Sequence, residues 1–224
     1  MTGPVTSPRR LVVVIGTGTE VGKTWVAAAT LSILRDQGVR VAARKPAQSF
    51  EPSESENAAT DADVLGAATG EDPRTVCPAH RWYEVPLAPP MAAAALGRPP
   101  FTLADLVDEI TWPDDVDLGL VETAGGVRSP LATDDGDAVA LAAALMPDDL
   151  VLVADAGLGT LNAIRLTLGA FADVLHSRDD LAGHVVLNRF DPSSDLHRRN
   201  LAWLRDHDGI DAATSPAALA ARLR

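Results

Sequence analysis

The sequence predicts an α/β chain built on a doubly wound, mostly parallel sheet, and three observations predict it. Short runs of β-branched and aliphatic residues recur at residues 11–15, 39–43, 117–122, 150–154 and 184–187. Longer helix-forming stretches lie between them, so strands and helices alternate, an order that right-handed crossovers convert into a parallel sheet. The first run, LVVVI at 11–15, is apolar at every position rather than every second one, as expected of a strand covered on both faces.

Composition sets the outer bounds. With 224 residues, 46% hydrophobic and 22% charged, the chain can bury a core without disulfides, and disorder throughout is excluded. One domain over residues 1–224 is expected, with 1–9 as a flexible leader. A formal net charge of −12 repels nucleic acid and anionic membrane surfaces, so neither is an expected partner. The one cysteine, Cys77, lies in no zinc-ligand spacing and suits a reducing compartment, so the expected location is cytoplasmic.

Along the chain, the strand at 11–15 ends at Gly16, and a glycine-bearing loop at 16–22 leads into a helix at 23–37. Gly38 stands where a C-terminal cap belongs. A second strand is expected at 39–43, then Pro46 and an acidic, Ser/Asn-rich stretch at 51–57 that reads as a mobile loop. Short helices are expected at 61–68, 90–96 and 103–110, a strand at 117–122, a helix at 138–145 and a strand at 150–154. One long helix should then carry Leu161, Ile164, Leu168, Phe171 and Leu175 as an apolar stripe against the sheet. A strand at 184–187 ending at Asn188 and a helix at 196–205 complete the pattern, with no internal repeat.

Ligands of such sheets sit beyond the carboxyl ends of the strands, and three polar constellations fall there. The first is GTGTEVGKT, residues 16–24. Its glycines let backbone amides turn toward phosphate oxygens, the following helix adds a partial positive end, Lys23 reaches outer phosphates and Thr24 can ligate magnesium. The usual pattern has a glycine at position 17; here Thr17 stands there and Gly16 precedes it. The flanking strand and helix nevertheless supply the required context, a P-loop NTPase-like three-layer sandwich. The second constellation is Lys45 in RKPAQS, with the Ser49 hydroxyl nearby, and the third is VETAGG at 121–126. Glu122 can hold a magnesium ion together with Thr24, matching this ion's hard oxygen ligands. Asp61 and Asp63 are further candidates for that ion, and either can instead begin a solvated helix.

On these residues the chain resembles the dethiobiotin synthetase family, from about residue 11 to 188. The stretched loop GTGTEVGKT, the segments RKPAQS, ATDADVLGAATG, PLAPPMAA and VETAGG, and the loop DAGLGTLN occur in the family's order. The resemblance implies an ATP- and Mg2+-dependent enzyme that converts 7,8-diaminopelargonic acid and CO2 to dethiobiotin in biotin synthesis, through a carbamate and its phosphoric anhydride. Carried over, Gly18, Thr19, Glu20, Val21, Gly22, Lys23 and Thr24 hold the phosphates, and Thr24, Asp61 and Glu122 hold magnesium. Lys23, Lys45, Thr19 and Ser49 are the catalytic set; Lys45, Ser49, Gly125 and Gly126 also bind substrate. The resemblance further implies a homodimer whose substrate carboxylate rests on Gly159, Thr160, Leu161 and Asn162 of the other subunit. Asn188 matches a position where some members read adenine, and a strand-ending turn asparagine is the equal alternative. Thr123 stands where many members have glycine, and GIDAATSPAAL lacks the usual proline-containing tail that packs on the base.

Two rival classes share the fold. A MinD/ParA-like regulatory ATPase carries a second lysine early in the loop, where this chain has Thr17. A cobyrinic-acid-synthetase-like enzyme pairs such a domain with a glutaminase, for which Cys77 lacks the histidine arrangement.

Overall fold

The computed structural model describes residues 7–51 and 59–224. The expected loop at 51–57 therefore lies outside the described residues except for Glu51, as do residues 1–6 of the leader. Pro8 already abuts Gly119, and the Arg9 amide donates to the Val116 carbonyl at 3.1 Å.

Five strands make the main sheet: β1 (Arg10–Gly16), β2 (Val41–Arg44), β5 (Leu118–Glu122), β6 (Asp149–Asp155) and β7 (Ala182–Asn188), in the order β2-β5-β1-β6-β7. Every neighbouring pair is parallel. β1 shows why the sheet needs cover on both sides, since Val12 to Ile15 are fully buried and alternate between two cores. Val13 and Ile15 face one core and Val12 and Val14 the other. Removing each such side chain from water is worth about 1.5–3 kcal/mol, so flanking helices are required energetically. One layer is α1 (Lys23–Asp36), α2 (Asp61–Thr69), α3 (Pro73–Val76) and α10 (Pro216–Arg222), whose Leu31, Leu34, Leu65 and Leu219 join the Val12 core. The other is α4 (Pro89–Ala95), α5 (Leu103–Asp108), α6 (Ala138–Leu145), α7 (Thr160–Ala170), α8 (Ala172–His176) and α9 (Asp195–Asp208). Its Ala92, Leu106, Leu141, Ile164 and Leu204 join the Val13 core. The result is the expected doubly wound three-layer sandwich.

Several expected boundaries move. The second strand begins at Val41, because the Gly38 and Val39 amides close the end of α1 on the Arg35 and Leu34 carbonyls. The expected long helix is two, broken at Phe171, which leaves helical geometry at φ −94°, ψ 3° while its ring is fully buried. Gly169 weakens the helix there, and the stripe still faces the core. A two-residue parallel pair, β3 (Gln48–Ser49) with β4 (Trp82–Tyr83), was not legible in the sequence, since so short a ladder has no periodicity.

Candidate functional site

β1, β2 and β5 lie side by side, so the loops leaving their carboxyl ends meet. After β1 the chain turns through Glu20 (φ 60°) and Gly22 (φ 90°) into α1, whose N-terminus has no side-chain cap. Its first amides are thus left for an external acceptor, the arrangement that binds phosphate. A Cβ on Gly22 would lie 2.1 Å from the Asn188 amide nitrogen, so this tight turn admits glycine alone.

Lys23 is buried, and its ammonium donates to the carbonyls of Gly18 (3.0 Å) and Gly125 (2.8 Å). Burial lowers its pKa, Glu122 raises it and Lys45 lowers it again. The Thr24 hydroxyl lies 2.8 Å from both Asp61 Oδ1 and Glu122 Oε1. Lys45, 2% exposed, places Nζ 2.6 Å from Asp61 Oδ2 and 2.6 Å from Glu122 Oε1. Burial pulls the Lys45 ammonium down, but the two carboxylates outweigh it and hold the group protonated well above its usual range. Burial acts to raise Asp61 and is outweighed by Lys45, leaving it below the usual carboxylate value. For the fully buried Glu122, burial pushes the carboxyl up and Lys45 opposes it.

This cluster fits a magnesium ion on its own chemistry. Glu122 Oε2 is buried with no hydrogen-bond partner among the described residues, an acceptor left over in a site of three hard oxygen donors. Two carboxylates and a hydroxyl match an ion that takes few protein ligands and completes its shell with water and phosphate. Asp63 is not in this set: Oδ2 accepts from the Thr60 amide and hydroxyl, both at 2.8 Å. It closes the capping box of α2.

These groups line a cavity of about 880 Å³ that also takes in Thr19, Glu20, Ser49, Gly125 and Ser129. Gly126 sits beside Gly18, and its amide donates to Ser129 Oγ at 2.9 Å. Thr123 is buried, its hydroxyl donating to the Val14 carbonyl at 3.3 Å, and it does not line the cavity. Gly159, Thr160, Leu161 and Asn162 are not brought to this cavity; they open α7 at the end of β6. There Thr160 Oγ1 is buried without a hydrogen-bond partner among the described residues, and Asn200 holds the preceding loop by donating to the Ala156 and Gly157 carbonyls, both at 3.0 Å.

Asn188 donates from Nδ2 to the Val21 carbonyl at 2.9 Å and lines a second cleft of about 560 Å³. Thr214, Ser215 and Pro216 line the same cleft, so the segment GIDAATSPAAL brings a proline beside Asn188. The spacing in SPAAL hid this, because α10 comes back across the sheet onto α1 only in the folded chain. Trp25, Arg189 and Ser129 also line the cavities and were missed; only Trp25, beside Thr24 in the motif, carried a local signal.

The family model described as an AAA domain matches residues 10–219. The ATP-dependent dethiobiotin synthetase BioD of Rhodococcus jostii (strain RHA1) is 37% identical over 95% of this chain and 88% of that protein. The corresponding protein of Haloferax mediterranei is 34% identical over 91% and 82%. Among solved structures, a plasmid partition protein from Borrelia burgdorferi aligns with TM-score 0.53 at 11% identity, covering 94% of this chain and 91% of that one. Cobyrinic acid a,c-diamide synthase from Mycobacterium smegmatis, with bound ATP analog and magnesium, aligns at TM-score 0.50 and 15% identity, covering 95% and 91%. These two likenesses bear on fold alone. No helix among the described residues is long and apolar enough to cross a membrane.

Proposed function

Since the chain belongs to the dethiobiotin synthetase family, we propose that it is an ATP-dependent ligase that closes a cyclic urea on 7,8-diaminopelargonic acid with CO2. The observation that carries this reading is the convergence of Lys23, Thr24, Lys45, Asp61 and Glu122 beside an uncapped helix N-terminus.

One substrate amine adds to CO2 with loss of a proton, giving a carbamate whose oxygen attacks the terminal phosphorus of ATP as ADP leaves. The second amine then attacks the carbamyl carbon, and phosphate departs as the ring closes. Negative charge therefore builds on the transferring phosphoryl group, where Lys23 and Lys45 stabilise it electrostatically. Lys45 starts the cycle paired to two carboxylates, so it is fixed in place and charged before substrate arrives. Thr24, Asp61 and Glu122 would hold Mg2+, which would neutralise charge on the outer phosphates. Thr19 and Ser49 orient the carbamate by hydrogen bonds, and the small residues Gly125 and Gly126 leave room for the diamine.

Gly159 to Asn162 lie away from this cavity, and that separation favours a homodimer in which each N-terminus of α7 receives the partner's substrate carboxylate. The enzyme is read as cytoplasmic, in keeping with its buried free thiol at Cys77.

Phosphate release from ATP by purified protein tests the reading. It should require Mg2+, diaminopelargonic acid and bicarbonate together, from a species that sediments as a dimer. Release indifferent to the diamine refutes the assignment, and monomeric active protein refutes the shared site.

A further inference from the structure

Trp25 follows the phosphate-loop threonine directly, and it is 58% exposed although Lys23, two residues before it, and Val26, next after it, are buried. Three residues, Gly22, Trp25 and Arg189, line both cavities, so the indole stands where the phosphate cavity opens into the second cleft.

Arg189 stands at the same junction. Arg189 sits in the left-handed region (φ 56°), uncommon for a side chain of its size. Its Nη1 lies 3.1 Å from Asp155 Oδ2, and its Nη2 donates to the Glu20 carbonyl at 2.9 Å, tying the end of β7 to the phosphate loop. Beyond it the second cleft is lined by Val186, Leu187 and Phe190, with Asn188 as a polar group. Such a cleft suits a flat, uncharged group better than a phosphate.

We propose that Trp25 is a stacking platform for the nucleoside of the bound nucleotide, holding sugar and base where the two cavities meet. This rests on the nucleotide-dependent reading above and adds to it the group that grips the non-reacting half of the substrate. Every base has a π-face, so a stacking platform strengthens binding without choosing among bases.

Trp82, Trp112 and Trp203 line neither cavity, so a ligand-dependent emission change that disappears in Trp25→Leu reports Trp25. ATP should shift indole emission and inorganic tripolyphosphate should not. By calorimetry, Trp25→Leu should raise the Kd for ATP and for GTP alike by about tenfold, the range of one base–aromatic stack, and leave the tripolyphosphate Kd unchanged. Trp25→Phe should recover most of the loss. ATP binding indifferent to Trp25→Leu, or equal losses of ATP and tripolyphosphate, overturns the proposal alone. Failure of the unaltered protein to bind either ligand overturns the nucleotide reading with it.

Discussion

Lys45 sits buried between two carboxylates, with Glu122 fully buried and the partly exposed Asp61 on its other side. The sequence alone expects Lys45→Ala to suppress turnover much more than folding. Burial changes that expectation, because removing one member of a buried ion pair strands the other at a cost of about 3–5 kcal/mol. Lys45→Ala should thus lower phosphate release by about 100- to 1,000-fold, the loss typical of removing one transition-state donor. It should also lower the melting temperature, and Mg2+ should restore part of that second loss by neutralising the stranded carboxylates. Calorimetric melting with and without Mg2+ checks this; a variant as stable as the parent would show that Lys45 does not neutralise the pair.

α2 decides at the scale of an element what the residues alone left open. Thr60 caps it from outside, Asp63 closes the capping box, and Asp61 at the first helical position is thereby aimed at Thr24 and Lys45. Gln48 reinforces the arrangement, its Oε1 accepting from the Ala62 amide at 3.0 Å. Asp63→Ala should cost about 1 kcal/mol, as lost caps do, and leave the Mg2+ dependence of phosphate release as it was. Asp61→Asn should do the reverse, raising the Mg2+ concentration needed for half-maximal release with little change in unfolding by urea. Exchange of these two outcomes would reassign the metal ligand to Asp63. The spacing of two aspartates on one helical turn could not separate them, since both acidic side chains favour a helix N-terminus equally.

Across the whole molecule, the end of the sheet opposite the site is tied by Asp149 at the start of β6. It accepts from Arg10 Nη2 at 2.8 Å and pairs with His184 Nε2 at 2.8 Å, joining β1, β6 and β7. Burial acts to raise the Asp149 carboxyl, but His184 and Arg10 outweigh it and hold it below the ordinary value of 3.8. A carboxyl depressed in the folded state contributes stability that is complete above its unfolded value and is lost as pH falls through the folded one. Acid unfolding below about pH 4 should accordingly be less steep in Asp149→Asn, which should lose about 3 kcal/mol at neutral pH. Circular dichroism along an acid titration reads both effects, and parallel curves for variant and parent would remove Asp149 from the account.

Contiguous residues encode the strand pattern and the phosphate loop. LVVVI is apolar at every position because both faces of β1 are covered, and GTGTEVGKT gives the strand, turn and helix start that make a phosphate cradle. Boundaries already drifted where local signals competed, as at Val39, which completes the end of α1 rather than opening β2. Tertiary structure alone decided which groups meet: Thr24 with Glu122, 98 residues on, and Val21 with Asn188, 167 residues on. It also brought Pro216 and Trp25 into one cleft. The physical reason is that crossovers and burial on a shared sheet set those encounters, and neither leaves a period or spacing along the chain.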